Sequence, residues 1–103
     1  MSREKKADKE YVAYIMRAIF GEDKKDKIVF SNDIPKLINE LLNRLNEKQR
    51  LTIDKCANGM NMSEIARYYG ASPSTIRYQK IKAIRRMRNP TWCKPLFAFI
   101  KRD

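Results

Sequence analysis

The sequence contains no histidine, and this absence narrows the chemistry that the protein can perform. Without an imidazole there is no histidine acid–base catalysis and no zinc site of mixed cysteine and histidine ligands. Two cysteines alone make a poor structural zinc site. The three glycines stand singly, so the chain lacks a glycine-rich phosphate-binding loop. We therefore expect no enzyme activity, no metal and no cofactor.

Long apolar runs are also lacking, and this argues against a membrane protein. No stretch approaches the length of a transmembrane span, and no secretory signal is recognisable. A cytoplasmic protein with reduced thiols is therefore expected, with a disulfide as the open alternative. We interpret Cys56 as a small buried core residue and Cys93 as an exposed residue of the C-terminal tail.

Acidic residues are scarce in the C-terminal third, where the basic residues concentrate. The net charge is +11, and residues 73–103 hold nine Lys and Arg against Asp103 alone. This asymmetry indicates a polyanionic partner. Nucleic acid is favoured over an anionic membrane because the basic helix lacks the bulky apolar face of an interfacial helix. A solvated basic face on an ordinary bundle helix is the structural alternative. The acids on the predicted helices are interpreted as solvated: Asp8, Glu10, Glu40 and Asp54.

The apolar residues that are present recur at helical spacing. Helices are predicted over Lys9 to Phe20, over Ile34 to about Arg44, and from the cap at Asn46 to Ala57. A charged linker (22–27) and a short extended segment without a strand partner (28–30) separate the first two. With a hydrophobic content of 43%, the 103 residues predict one small all-α helical bundle of about five helices without a β-wing. We divide the chain into an N-terminal helix with its linker (1–30), a helix-turn-helix domain (31–90) and an apolar, basic C-terminal tail (91–103).

A helix-turn-helix is predicted in the centre of the second segment. Asn61 and Glu64 form a capping box that starts its first helix. Gly70 suits the left-handed conformation that ends this helix, and Ser72 with Pro73 suits the start of the next. Together these signals are typical of a helix-turn-helix.

The second helix of this unit is predicted to run from about Pro73 to about Arg88, with two different sides. Its core-facing stripe contains Ile76, Ala83, Ile84 and Met87. The opposite side contains Ser74, Arg77, Tyr78, Ile81 and Arg85, which offer donors, a phenol and an apolar contact to DNA. Lys80 falls within the apolar stripe, where its ammonium must extend out of the core or find a partner.

These motifs together resemble region 4 of the sigma-70 family of transcription factors. The resemblance extends over roughly Ile34 to Pro90, and its final segment separates it from LuxR-type regulators, which share much of the helix-turn-helix. The segments that carry it are Leu45–Arg50, Gly59–Ala66, Gly70–Ser72, Thr75–Arg77 and Lys82–Pro90.

The resemblance implies an all-helical domain that reads the promoter −35 element and docks on the β flap of RNA polymerase. The family's base-reading positions fall on Pro73, Ser74, Arg77 and Tyr78, and only Arg77 keeps the residue type of primary sigma factors. A target other than the conventional −35 hexamer is therefore expected. The candidate base-reading residues are Ser74, Arg77 and Tyr78. The candidate DNA-backbone contacts are Arg67, Ser72, Lys80, Lys82, Arg85, Arg86 and Arg88.

Several functional alternatives stay open at this point. Because nothing in the chain resembles sigma region 2, the protein is expected to be half of a split sigma factor or a small activator. A LuxR-like dimeric regulator and a sigma mimic that does not read DNA are the alternatives. The N-terminal helix either completes the core or binds a partner. The tail, with Trp92, Leu96, Phe97 and Phe99, either folds back onto the domain or docks on a second copy or a second sigma-like subunit.

Overall fold

The computed structural model describes residues 8–101, apart from the side chain of Asp8, and within this range the protein is all-α. Arg102 and Asp103 of the predicted tail, and the first seven residues of the N-terminal segment, lie outside the described range. The α-helices are α1 (Asp8–Phe20), α2 (Ile34–Leu42), α3 (Glu47–Ala57), α4 (Met62–Tyr69), α5 (Pro73–Met87) and α6 (Pro90–Cys93). Two 3-10 helices complete the fold, at Glu22–Lys27 and at Lys94–Phe99.

The prediction of a small helical bundle is confirmed, with α1 to α5 at the predicted places. Residues 8–101 contain no β-strand, and so no β-wing follows the helix-turn-helix in this range. The short α6 and the two 3-10 helices were not predicted. No helix in residues 8–101 combines the length and the apolarity needed to cross a membrane.

The main hydrophobic core lies between α1, α2, α3, α5 and the tail. Ile15 and Met16 of α1 are fully buried in it, as are Ile34 of α2 and Leu96 of the tail. Helix α1 packs on α2, α3 and α5, and so it is an integral part of the bundle. Val12 and Ile19 complete the buried side of α1.

A smaller core cluster belongs to the helix-turn-helix. It is built from Cys56 of α3, Ile65 and Ala66 of α4, and Ile76 of α5. Tyr14 of α1 packs against both clusters, and therefore links the helix-turn-helix to the main core. The prediction that Cys56 is a buried core residue is confirmed.

The segment predicted as a charged linker is instead the first 3-10 helix, Glu22–Lys27. Gly21, with φ 110°, connects it to α1, and a Cβ at this position would lie 2.7 Å from Oδ1 of Asp23. The turn begins with the amide of Lys24, which donates to the carbonyl of Gly21 at 3.1 Å. A run of mixed charges thus forms helical turns between α1 and the bridge at Ile28.

The extended segment after this turn has a β-partner, contrary to the prediction. Ile28 forms an isolated antiparallel bridge with Ile100 of the tail. The amide of Val29 donates to the carbonyl of Phe99 at 2.8 Å, and the amide of Lys101 donates to the carbonyl of Lys27 at 2.7 Å. The partner lies at the other end of the chain, where a local pattern cannot reveal it.

The tail folds back onto the bundle, which is the first of its two predicted arrangements. Leu96 is fully buried, and Cys93 is buried as well, so the prediction of an exposed Cys93 is wrong. Trp92 lies between two guanidinium groups, with the Cζ of Arg44 at 5.5 Å and the Cζ of Arg86 at 5.3 Å from the ring centroid. These contacts fix the tail beside the start of α3 and the end of α5.

Candidate nucleic-acid interface

Helix α4 begins and ends as its sequence predicts. The amide of Glu64 donates to Oδ1 of Asn61 and the amide of Asn61 donates to Oε1 of Glu64, both at 2.9 Å. Gly70 adopts the left-handed conformation, with φ 67° and ψ 35°, which an L side chain rarely adopts. This glycine therefore sets the turn between α4 and α5.

Helix α5 starts at a capped end and turns one face to the protein. The amide of Thr75 donates to Oγ of Ser72 at 3.2 Å, and Pro73 occupies the first turn, where its missing N–H is not needed. Ile76, Ala83 and Met87 are buried, and α5 packs on both α3 and α4. Because this inner face is fully used, the opposite face must point outward.

The outer face of α5 is exposed along its length. Tyr78 is 58% exposed and Ile81 is 47% exposed. The ammonium of Lys82 lies 5.1 Å from the centroid of the Tyr78 ring, within cation–π range. The remaining exposed members of this face are Ser74, Arg77 and Arg85. We call these six residues the outer face of α5: Ser74, Arg77, Tyr78, Ile81, Lys82 and Arg85.

Among the described residues, no carboxylate compensates the positive charge of this face. Helix α5 contains no acidic residue. Across the described range 8–101, no carboxylate lies within 4 Å of Arg77, Lys82 or Arg85. Basic side chains without an internal carboxylate partner remain available to an external anion, and phosphates are the anion that DNA presents in a row.

Three of the predicted backbone contacts have partners inside the protein. Lys80 is half-buried, and its ammonium lies 5.8 Å from the centroid of the Tyr14 ring, which is the second of the two arrangements expected for it. Arg86 donates from Nη1 to Oε1 of Gln49 at 3.4 Å and stacks on Trp92. Arg88 donates from Nε to the carbonyl of Ala18 at 3.1 Å. Lys80 and Arg86 therefore lie to the sides of the outer face, whereas Arg88 borders it beside Ile81 and Arg85.

The other two predicted backbone contacts lie outside α5. Arg67 is exposed on α4, and Ser72 is exposed at the N-terminal end of α5, where its hydroxyl already caps the helix. Both precede the outer face along the helix-turn-helix. Within residues 8–101, these two residues, Lys82 and Arg85 have no side-chain partner beyond their own helix cap or a neighbouring ring.

Sequence reasoning missed an aromatic and cationic group on α4. Tyr68 is 60% exposed and stacks on Tyr69, with the ring centroids 5.0 Å apart. The ammonium of Lys55 lies 4.0 Å from the centroid of the Tyr68 ring. The available signal was the position of Tyr68 two residues after the buried Ala66, which puts the two side chains on opposite sides of α4.

Two ionisable side chains packed in the smaller core cluster, Cys56 and Tyr14, have raised pKa values. Burial raises the pKa of the Cys56 thiol, and the nearby charge of Lys80 offsets only part of this effect. Burial likewise raises the pKa of Tyr14. A buried neutral thiol is a poor nucleophile, and we therefore assign Cys56 to packing.

Comparison with known proteins gives no relative, since no family, no curated protein and no solved structure matches the chain. The function must therefore be argued from the residues and their arrangement.

Proposed function

We propose that the protein is a transcription regulator that binds double-stranded DNA through its helix-turn-helix, with α5 in the major groove. The observation that carries this proposal is the uncompensated positive charge on the outer face of α5, on a helix whose inner face is fixed to α3 and α4. A surface of this kind attracts a polyanion, and the helix-turn-helix presents it on a single projecting helix.

The dimensions of α5 suit the major groove. Its 15 residues form a rod about 22 Å long, and the groove of B-DNA is about 12 Å wide, enough for one helix. In this arrangement the start of α5 faces the base edges. Arg77 is the main candidate for base recognition because a guanidinium can bond guanine O6 and N7 together. Ser74 and Tyr78 lie on the same exposed side and add hydroxyl groups.

The contacts to the DNA backbone are assigned by exposure. Arg67, Ser72, Lys82 and Arg85 are exposed and are proposed to contact phosphates directly. Lys80, Arg86 and Arg88 are proposed to contribute less, because each already has a partner within the protein. The slope of log K against log salt would then reflect mainly the cationic contacts of Arg67, Lys82 and Arg85, at about 0.9 for each.

The proposed role in transcription includes contact with RNA polymerase, which follows from the resemblance to sigma region 4. Retention of the protein on immobilised core polymerase supports this part of the proposal. Retention that persists in Arg77→Ala together with unchanged DNA affinity would instead support a sigma mimic that does not read DNA.

The DNA-binding proposal is tested by the salt dependence of affinity for duplex DNA, measured by fluorescence anisotropy. Loss of one phosphate contact should reduce the slope of log K against log salt by about 0.9, and we expect this for Arg85→Ala. Lys36→Ala is the matched control, since Lys36 is an exposed cation of α2 away from the helix-turn-helix. Absence of DNA binding at low salt, or an equal change of slope in both variants, contradicts the proposal.

A further inference from the structure

Ile81 is an unusual residue for its position on α5. It is 47% exposed and belongs to the outer face, one helical turn after Arg77 and on the same side of the helix as Arg85. Isoleucine is β-branched and is a poorer helix former than Ala, Lys or Arg, so helix formation alone does not favour it there. Its exposure also limits what it contributes to the core.

Ile81 is surrounded by one apolar residue and two cationic residues. It lines a shallow hollow on the surface of α5 together with Ile84, Arg85 and Arg88. Ile84 is half-buried and packs against the main core, so the floor of this hollow is held by the fold. The result is a fixed apolar spot on a positively charged surface.

A DNA major groove presents one apolar group to such a spot, the C5 methyl of thymine. We propose, resting on the DNA-binding function proposed above, that Ile81 is a specificity-determining residue that contacts a thymine methyl. One turn of α5 advances about 5.4 Å, whereas successive base pairs are about 3.4 Å apart. The thymine therefore lies one or two base pairs from the base that Arg77 reads.

The test removes the methyl group without changing any hydrogen bond to the base. A high-affinity site is first selected from random duplexes with the full-length protein. Each thymine of that site is then replaced singly by deoxyuridine, which lacks only the C5 methyl. Loss of one buried methyl group should weaken binding about fourfold at the thymine that Ile81 contacts. The same position should lie one or two base pairs from the base whose preference is lost in Arg77→Ala.

Two variants test whether the Ile81 side chain causes the effect of the missing methyl group. In Ile81→Ala, the thymine and deoxyuridine duplexes should bind equally at that position, while other positions keep their wild-type ratios. The variant is expected to fold, because the site is exposed and alanine favours helix. Lys82→Ala is the neighbouring control, and it should weaken both duplexes by the same factor without changing their ratio.

The outcomes separate this inference from the function on which it rests. Salt-dependent binding with no deoxyuridine effect, or with the same effect in Ile81→Ala as in the wild type, overturns the role of Ile81 and leaves DNA binding standing. If the protein binds duplex DNA without sequence preference and no deoxyuridine substitution changes the affinity, the role of Ile81 is likewise overturned. Failure to bind duplex DNA at low salt overturns both.

Discussion

Tyr11 donates a hydrogen bond from its hydroxyl to Oδ1 of Asp54 at 2.6 Å, and this bond joins α1 to α3. Both side chains are partly buried, and the expectation that Asp54 is simply solvated is therefore wrong. Since α3 packs on α5, the bond also connects the N-terminal helix to the element that supports α5. The helix-turn-helix is thus held to the rest of the protein by a polar contact as well as by Tyr14 and the core.

Replacing Tyr11 with Phe should destabilise the protein measurably. The variant keeps the ring but removes the donor to a carboxylate, and hydrogen bonds to charged groups contribute about 1.5–3 kcal/mol. Urea unfolding followed by circular dichroism should show a lower midpoint with an unchanged slope. Tyr78→Phe is the matched control, because the Tyr78 ring is exposed, and it should stay within about 0.5 kcal/mol of the wild type. Equal midpoints for Tyr11→Phe and the wild type would contradict the role of this bond.

Stability should fall at alkaline pH. Burial raises the pKa of the Cys56 thiol, and burial followed by the hydrogen bond to Asp54 raises the pKa of Tyr11. The folded state therefore keeps protons that the unfolded state loses, at about pH 8.5 for cysteine and about pH 10 for tyrosine. The stabilisation is fully present below these values and is lost above them, at up to about 1.4 kcal/mol per pH unit and group.

The measurement is the urea midpoint between about pH 7 and about pH 11, in the wild type and in Tyr11→Phe. The decline above about pH 10 should be shallower in the variant, because one of the groups that drives it is missing. A midpoint that rises through this range in the wild type, or an equally steep decline in Tyr11→Phe, would be inconsistent with the buried phenol.

The tail provides a direct comparison between a core residue and a surface residue. Leu96 is 1% exposed, whereas Phe97 is 58% exposed with its ring centroid 5.1 Å from that of Phe20. Leu96→Ala should cost about 2–5 kcal/mol as a buried truncation. Phe97→Ala should cost about 1 kcal/mol or less because most of its ring is already in water. Thermal unfolding of both variants checks this, and a similar loss in the two would mean that the tail is not packed as described.

The local features of the fold could be predicted from the sequence because their causes are local. The capping box at Asn61 and Glu64, the left-handed Gly70 and the cap at Ser72 each depend on residues within one turn of a helix. The exposure of the outer face of α5 also followed from helical spacing, because a helix with one buried stripe must expose the opposite one. Residues at the edge of the buried side of a helix were harder to predict. Met16 and Leu42 are buried, although neither was predicted as a core residue.

The features that could not be predicted all join distant parts of the chain. The pairing of Ile28 with Ile100 needs both ends of the sequence to meet, and neither segment is long enough to show a strand pattern. In the candidate site, charge alone could not separate cations that stay exposed on α5 from cations that contact other parts of the protein. Arg86 contacts Gln49 and Trp92, and this depends on where α3 and the tail come to lie.

The central claim is that the outer face of α5 meets DNA, and amide chemical shifts measured during titration with duplex DNA test it most directly. With ¹⁵N-labelled protein and its selected duplex, the largest shifts should fall on Ser74 to Arg85 and on Arg67. The second 3-10 helix, Lys94–Phe99, should be nearly unaffected, because it lies on the tail rather than on the helix-turn-helix. Shifts concentrated in that tail helix or in α2, with α5 unchanged, would contradict the account.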